Sequence, residues 1–368
     1  MTTGIICEFN PFHSGHKYLM DTVRAESDGI VCVMSGNIVQ RGEFAVYDKF
    51  KRTKDALQGG ADLVIELPCV YSAMSAGGFA KYAVEILEKS GVIDQIAFGA
   101  ECDDKRKLKE VADKIKNNEK KIAEEMKNGL SYPAARKKII DDEVLDYPNN
   151  ILAIEYINCT NLPFTAVKRI GKGHDSDDEK YSASAIRQNL DRKKICSIYN
   201  CETAILSKLR TMDANDFLKI EDVNEGLENR IINAVRTSSS LYEIYSKIKT
   251  KRYTHSRIRR IILKSYLGIT KEYTFNVPYI RILGFNHKGK EILSEMKKKA
   301  KLPIISRYSD INSLDDDAKK LFALECRCTN LYNLGYKIPL PCGTEQRGKV
   351  VIMDNEQHNS SRIYKTIE

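Results

Sequence analysis

Four short apolar runs punctuate the first hundred positions: GIIC (4–7), GIVCVM (29–34), ADLVIEL (61–67) and DQIAFG (94–99). Each is bounded by Gly, Asp or Ala and is continuous rather than alternating, which is how a strand buried on both faces reads. Between them, residues 15–24, 48–58 and 76–89 carry apolar side chains at helical spacing, and Gly59-Gly60 and Gly91 stand where helix C-terminal glycines belong. The pattern predicts βαβαβαβ, a parallel sheet with right-handed crossovers. Ligands of such sheets bind beyond the carboxyl ends of the strands, so chemistry is expected in the loops after Cys7, Met34, Leu67 and Phe98.

Residues 103–127 are highly charged, with Leu108, Val111, Ile115 and Ile122 on one stripe, and predict one amphipathic helix whose lysines form a wet face. A helix over 149–156, a strand over FTAVKRI (164–170) and a helix over 184–190 follow. The rhythm then changes. Beyond about residue 195 it is mostly helical and strongly basic, as in KIKTKRYTHSRIRRIILK (247–264). The expectation is an α/β, Rossmann-like parallel-sheet domain over 1–195 and a mainly helical, basic domain over 196–368. No internal repeat or low-complexity linker marks the join.

Composition narrows the class without choosing a function. A chain of 368 residues, 42% hydrophobic and 30% charged, excludes a disordered tail, a collagen-like repeat and a small disulfide scaffold. No apolar run reaches the roughly 18–20 residues of a membrane span, and MTTGIICEFN enters a strand with neither a basic leader region nor a cleavage site, so a cytoplasmic protein is expected. Cys7, Cys32 and Cys69 sit in apolar stretches and the remaining cysteines are scattered, which points to reduced thiols. Cys326, Cys328 and Cys342 lack a second well-spaced pair, and no structural metal is expected. The net charge of +9 suits a polyanionic partner and suits a lysine-rich proteome equally well.

The most informative segment is GIICEFNPFHSGHKYLM (4–20), a buried strand, a tight loop and a helix. His13 and His16 stand three apart where helix N–H groups point outward, and Gly15 lets backbone approach a phosphate closely. Two imidazoles, free amides and a helix dipole together make a site for anionic oxygens. Two surface histidines on a loop would be the ordinary alternative; their place directly after the first strand favours the site.

FNPFHSGHKYL resembles the H-x-G-H signature of the nucleotidyltransferase superfamily. SGNIVQRGEFAVYDKFKRTKDAL, GADLVIELP, FGAE, PNNILAIEY and VKRIGKGHD further resemble the tRNA(Met) cytidine acetate ligase family, and KRYTHSRIRRIIL and YIRILGFNHKGKEIL continue the likeness more weakly. The resemblance implies a nucleotidyltransferase-like catalytic domain and a two-step, ATP-dependent reaction. Acetate attacks the α-phosphorus of ATP, and the acetyl-adenylate then acylates the exocyclic amine of the wobble cytidine in elongator tRNA(Met). His13 and His16 would be the catalytic pair, stabilising charge on phosphate oxygens. Neither has to act as a base, since acetate is already ionised.

The same resemblance assigns ATP contacts to the loop Ile6, Cys7, Glu8, Phe9, Asn10, Pro11, Phe12, His13, Ser14, Gly15, His16, Lys17, Tyr18 and Leu19. It adds Gly99, one of Asn149 and Asn150, Arg169, and Ser184 and Arg187 of YSASAIRQNL. Each has an ordinary reading as well: a turn glycine, an N-cap, a solvated cation. Gln40 and Arg41, with Asn37 beside them, are candidates for the acceptor side, and His174 and Asp175 are support residues. Mg²⁺ is a reasonable companion of the triphosphate, though no compact carboxylate cluster announces a protein-held ion.

Arg257, Arg259 and Arg260, within the basic run, are the candidate tRNA contacts; a solvent-facing helix accounts for them as well. Two other classes stay open at this point. A small-molecule adenylyltransferase would share the histidine loop but would not need the long basic half. A nucleotide-sensing or RNA-binding relative without turnover would not need both histidines.

Overall fold

The computed structural model describes residues 1–169, 186–187, 189–191, 193–224, 226–274 and 276–353; Ile170, His174, Asp175, Ser182 and Ser184 lie outside the described residues. The chain opens with β1 (Thr2–Cys7), α1 (Ser14–Arg24) and β2 (Gly29–Ser35), then a small antiparallel hairpin of β3 (Ile38–Val39) and β4 (Glu43–Phe44). There follow α2 (Lys49–Gln58), β5 (Leu63–Leu67), α3 (Cys69–Ser72), α4 (Ala76–Ser90) and β6 (Gln95–Ala100). Helices α5 (Lys105–Asn117), α6 (Glu119–Lys127), α7 (Tyr132–Ile140) and α8 (Pro148–Cys159) lead to β7 (Phe164–Lys168).

Strands β1, β2, β5, β6 and β7 are mutually parallel, and β1 lies between β2 and β6. The chain winds outward from β1 through β2 to β5, then returns to place β6 and β7 on the other side. The gap between the carboxyl ends of β1 and β6 is therefore the topological switch point, the usual ligand crevice of an open α/β sheet. Every residue of β2 and β5 is buried, as their unbroken apolar runs require. On β2, Ile30, Cys32 and Met34 pack with residues of α1 and α2, while Val31 and Val33 join the cluster containing α4 and α8.

Three features depart from the sequence reading. The single helix expected over 103–127 is two, because Asn118 leaves the helical path and its Nδ2 donates to the Lys114 carbonyl at 2.9 Å. An Asn side chain that bonds nearby backbone competes with the helix. The apolar stripe survives the break, with Leu108, Val111, Ile115 and Ile122 all buried. The strand expected over 164–170 ends at Lys168.

The third concerns the later half. It supplies the expected helices, among them Glu202–Arg210, Leu227–Arg236, Leu241–Ile248, His255–Leu267, His287–Lys299 and Asp316–Tyr332. It also sends β8 (Ile280–Asn286) back to lie antiparallel along β5, with β9 (Ile304–Ile305) and β10 (Val351–Met353) pairing to β8. The sheet begun by the first 195 residues is completed by strands from beyond them.

A buried ring of four charges fastens the two halves. Lys49 Nζ of α2 lies 2.6 Å from Glu66 Oε1 on β5 and 2.7 Å from Glu345 Oε1 on the short helix Thr344–Arg347. Arg281 of β8 closes the ring, 2.9 Å from Glu66 Oε2 and 2.6 Å from Glu345 Oε2. Burial pushes the Glu345 carboxyl up, but the Lys49 and Arg281 charges outweigh it and hold it at about 2. Thr329 donates its hydroxyl hydrogen to Glu345, and Asn37 donates to Thr329 at 3.2 Å while accepting from the Lys49 amide at 2.9 Å.

A second fastening joins the β3–β4 hairpin to the helix His255–Leu267. Gly42 has φ +76, a left-handed conformation, and a Cβ there would lie 2.5 Å from the Arg260 amide nitrogen. We expect Gly42→Ala to destabilise the protein by more than the ~1 kcal/mol of an ordinary glycine replacement, because both the conformation and a close backbone approach are violated. Urea unfolding of the two proteins measures this. Among the described residues no helix is long and apolar enough to cross a membrane.

Candidate active site

The loop after β1 folds on its aromatic residues. Phe9 is buried with φ +45, the Asn10–Pro11 peptide is cis, and Asn10 Oδ1 accepts from the Val46 amide at 2.8 Å. Phe9 and Phe12 meet edge to face at 5.1 Å and both contact the His16 ring. Phe12 packs where a Cβ of Gly59 would be, 2.1 Å from its nearest ring carbon. Gly59 is the C-cap of α2, as read from the sequence; with φ −78 its lack of a side chain serves this close approach, and the positive φ falls at Gly60, at +116.

His13 caps α1: its Nδ1 accepts from the Gly15 amide at 3.1 Å and its carbonyl accepts from the His16 and Lys17 amides. A Cβ on Gly15 would press on the His13 ring at 3.0 Å. The His13 and His16 rings stack with centroids 3.7 Å apart. Burial first, then the Arg169 and Arg187 charges, lower His13 to about 4. Burial, His13 and Arg169 push His16 well below the ordinary histidine value. Both rings are therefore neutral near pH 7. With Nδ1 accepting, His13 carries its proton on Nε2, a donor for an incoming oxygen. His16 Nδ1 is buried and takes no hydrogen bond among the described residues.

Within the expected ATP loop, Ile6, Phe9, Asn10, Pro11 and Leu19 are buried, whereas Ser14, Gly15, Lys17 and Tyr18 are exposed. Lys17 pairs with Asp21 on its own helix, and the Cys7 thiol lies 3.7 Å from the Val33 carbonyl. The Glu8 carboxylate turns to the hairpin, where Oε1 accepts from the Gln40 amide at 2.6 Å.

Across the switch point, Gly99 ends β6 beside Arg169, whose Cγ would lie 3.6 Å from a Cβ on that glycine. The half-exposed Arg169 places Nε 3.9 Å from Glu101 Oε1. Glu101 also takes the Asn149 side-chain amide at 2.5 Å and the Asn150 backbone amide at 3.1 Å, fixing the start of α8. The two asparagines divide the work. Asn150 is 1% exposed and spends its Oδ1 on the Cys102 amide, while Asn149 is half-buried and its Oδ1 holds no hydrogen bond among the described residues. Arg187 donates to the Asn10 carbonyl at 2.8 Å, which brings it to the back of the histidine loop.

The sequence reading missed Arg52. Fully buried on α2, it donates to the carbonyls of Glu8 at 2.6 Å, Ser35 at 3.1 Å and Tyr47 at 2.9 Å, and to that of Gly36. One guanidinium thus holds the ends of β1 and β2 in register beneath the loop. Asn37, expected on the acceptor side, is 5% exposed and its amide is used inside. Gln40 stands beside the loop, its backbone amide on Glu8 and its Nε2 donating to the Met74 carbonyl at 3.3 Å, and the Arg41 charge acts on Glu8.

The three candidate tRNA arginines already hold protein partners. Arg257 donates to the Asp222 carbonyl and to Asn224, and stacks over Tyr253 at 5.1 Å. Arg259 pairs with Glu43 of the hairpin at 2.6 Å. Arg260 is 6% exposed and lies 3.7 Å from Asp222. Burial makes Arg260 an internal group, contrary to the expectation of a phosphate contact; Arg257 and Arg259 remain half-buried.

A parallel sheet with His13 capping the helix after its first strand and His16 on that helix's first turn is the arrangement expected of a nucleotidyl transferase. The pattern of the family described as HIGH Nucleotidyl Transferase matches residues 1–203 and 191–346. The chain is 35% identical to a tRNA(Met) cytidine acetate ligase of Acetivibrio thermocellus, over 95% of this chain and 99% of that one. It is 37% identical to the protein of the same description in Thermoanaerobacter sp. strain X514, over 91% and 95%. The crystal structure of Thermotoga maritima TmcAL bound with alpha-thio ATP superposes with a TM-score of 0.86 at 33% identity, covering 96% of this chain and 99% of that one. The chain belongs to the tRNA(Met) cytidine acetate ligase family, as its motifs indicated.

Proposed function

We propose that this protein is an ATP-dependent ligase that modifies tRNA, forming acetyl-adenylate from acetate and ATP and passing the acetyl group to N4 of the wobble cytidine in elongator tRNA(Met). The relatives' description and the ATP analogue in the Thermotoga maritima structure support the substrates. The observation that carries the reading is the stacked pair of neutral imidazoles at the switch point, one with a buried nitrogen unpaired among the described residues. In the first step an acetate oxygen attacks the α-phosphorus and pyrophosphate leaves in line. His13 Nε2–H donates to the phosphate oxygens at the positive end of the α1 dipole, with Arg169 near enough to share the charge. Gly99 leaves room beside Arg169 for the nucleotide, and Asn149 offers the open amide oxygen. Arg187 supports the loop through Asn10. Mg²⁺ would come with the triphosphate.

Incubation with ATP, labelled acetate and elongator tRNA(Met), followed by mass spectrometry of the nucleosides, tests this. Label in N4-acetylcytidine is the expected result. Adenylylation of a small molecule with no change in the tRNA would overturn it in favour of a small-molecule transferase.

We assign the tRNA contact to the helix His255–Leu267, through the half-buried Arg257 and Arg259. Replacing both with Gln should weaken tRNA binding and flatten its salt dependence, by roughly one unit of log-log slope for each phosphate no longer engaged. Arg260→Gln should lower stability and leave that slope intact. Affinities measured across a salt series distinguish the two.

A further inference from the structure

We propose that the Glu8 carboxylate is the general base of the acyl-transfer step, its Oε2 taking the proton that the acceptor amine sheds, while the Gln40 amide fixes the group through Oε1. This rests on the functional reading above and adds the group that the second half of that reaction lacks. The exocyclic amine of cytosine shares its lone pair with the ring and is a poor nucleophile. As its N–C bond to the acetyl carbon forms, the carbon's bond to the phosphate oxygen breaks and AMP leaves with the electron pair. The amine must then lose a proton, and a positioned base in that role is worth about 10²–10⁴-fold. The first step has no such need, because acetate arrives ionised.

Among the described residues, Glu8 is the carboxylate the geometry leaves available. Glu101 is taken up by Asn149, Asn150 and Arg169, and Glu43 by Arg259. The imidazoles are committed elsewhere: His13 spends Nδ1 on the Gly15 amide and carries its proton on Nε2, and His16 Nδ1 is buried. Glu8 Oε1 accepts from the Gln40 amide at 2.6 Å, whereas Oε2 holds no hydrogen bond among the described residues, and the residue is half-buried. Burial raises this carboxyl above the ordinary glutamate value, against the Gln40 hydrogen bond and the charges of Arg52, Arg41 and Arg187, which makes it a stronger base than a surface glutamate. Cys7 and Tyr156 are the other titratable groups that feel it.

Its place suits the role. Glu8 stands between the histidine loop, where the acyl-adenylate would form, and the hairpin that Gly42 and the Glu43–Arg259 pair bolt to the basic helix of the later half. A nucleotide presented from that helix would reach the adenylate past this carboxylate. Arg52 and Arg187 grip the carbonyls of Glu8 and Asn10, so the side chain springs from a rigid turn.

Glu8→Gln retains an oxygen for the Gln40 amide and removes the base. In single-turnover assays it should lower acetyl transfer to tRNA at least 10²-fold while slowing pyrophosphate release less than about 10-fold. Glu8→Asp, a carboxylate drawn back by one carbon, should recover part of the transfer rate. The wild-type transfer rate should rise with pH as Glu8 ionises, and this limb should vanish in Glu8→Gln. Equal loss in both steps would mean a structural role, and undiminished transfer would mean no role; either overturns the assignment. A wild-type enzyme that forms the adenylate and acetylates no tRNA would instead overturn the functional reading beneath it.

Discussion

Replacing His13 or His16 with Ala is expected to slow acetyl-adenylate formation by about 10²–10³-fold while weakening ATP binding far less. The reason lies in when the charge appears. The two rings are stacked, largely removed from water and neutral, so they offer oriented dipoles and not full charges to the phosphate. Such donors gain most as negative charge grows on the reacting oxygens. Pyrophosphate release in a single turnover, beside ATP affinity, is the measurement, and an unchanged rate in both variants would remove the loop from the mechanism. A pH effect accompanies it. The folded pKa of His13, about 4, lies below the unfolded value, so between these limits the unfolded chain binds more protons. Stability should therefore fall as pH drops from about 6.5 toward 4, and less steeply in His13→Ala, as thermal unfolding of the ligand-free protein would record.

Glu66→Gln should be the most damaging single change in the buried ring, at about 3–5 kcal/mol. The glutamate faces Lys49 with one oxygen and Arg281 with the other, and all three are nearly inaccessible to water. Its amide counterpart keeps the volume but leaves two buried cations to share Glu345. Removing one of them, as in Glu66→Gln with Arg281→Met, should recover part of the loss because the charge count balances again. Urea denaturation of the wild type, the single and the double variant measures the coupling; additive losses would show that the ring does not act as a unit.

The parallel strands and the histidine loop were legible because they depend on local pattern: continuous apolar runs, helical periodicity, a glycine beside two histidines. What escaped depends on partners distant in the chain. IRILGFN (280–286) is a strand only because β5 presents an edge to it, and it runs directly into the helix His287–Lys299, so its rhythm merged with the helical text around it. Arg52 left a fainter trace. On α2 the buried positions are Lys49, Arg52, Thr53, Ala56 and Leu57, so two cations occupy the apolar stripe of the helix. A charge in such a position asks for an internal partner, and each has several. The basic run over 247–264 misled in the opposite way. Its arginines read as one positive surface, yet Arg260 opens a stretch, 260–267, in which every residue of the helix is buried.

The antiparallel pairing of β8 with β5 also bears on how the protein comes to be made. Roughly two hundred residues separate Leu67 from Ile280, about 10–40 s of synthesis on a ribosome adding 5–20 residues per second. Throughout that interval LVIEL, a strand whose five residues are all buried in the finished protein, has one row of backbone donors and acceptors without its neighbour. Such an edge is a template for a strand from another chain. The nascent chain must be shielded there until β8 arrives, and a fragment ending near residue 195 would keep the edge permanently, a source of aggregation that no substitution in the histidine loop could cure.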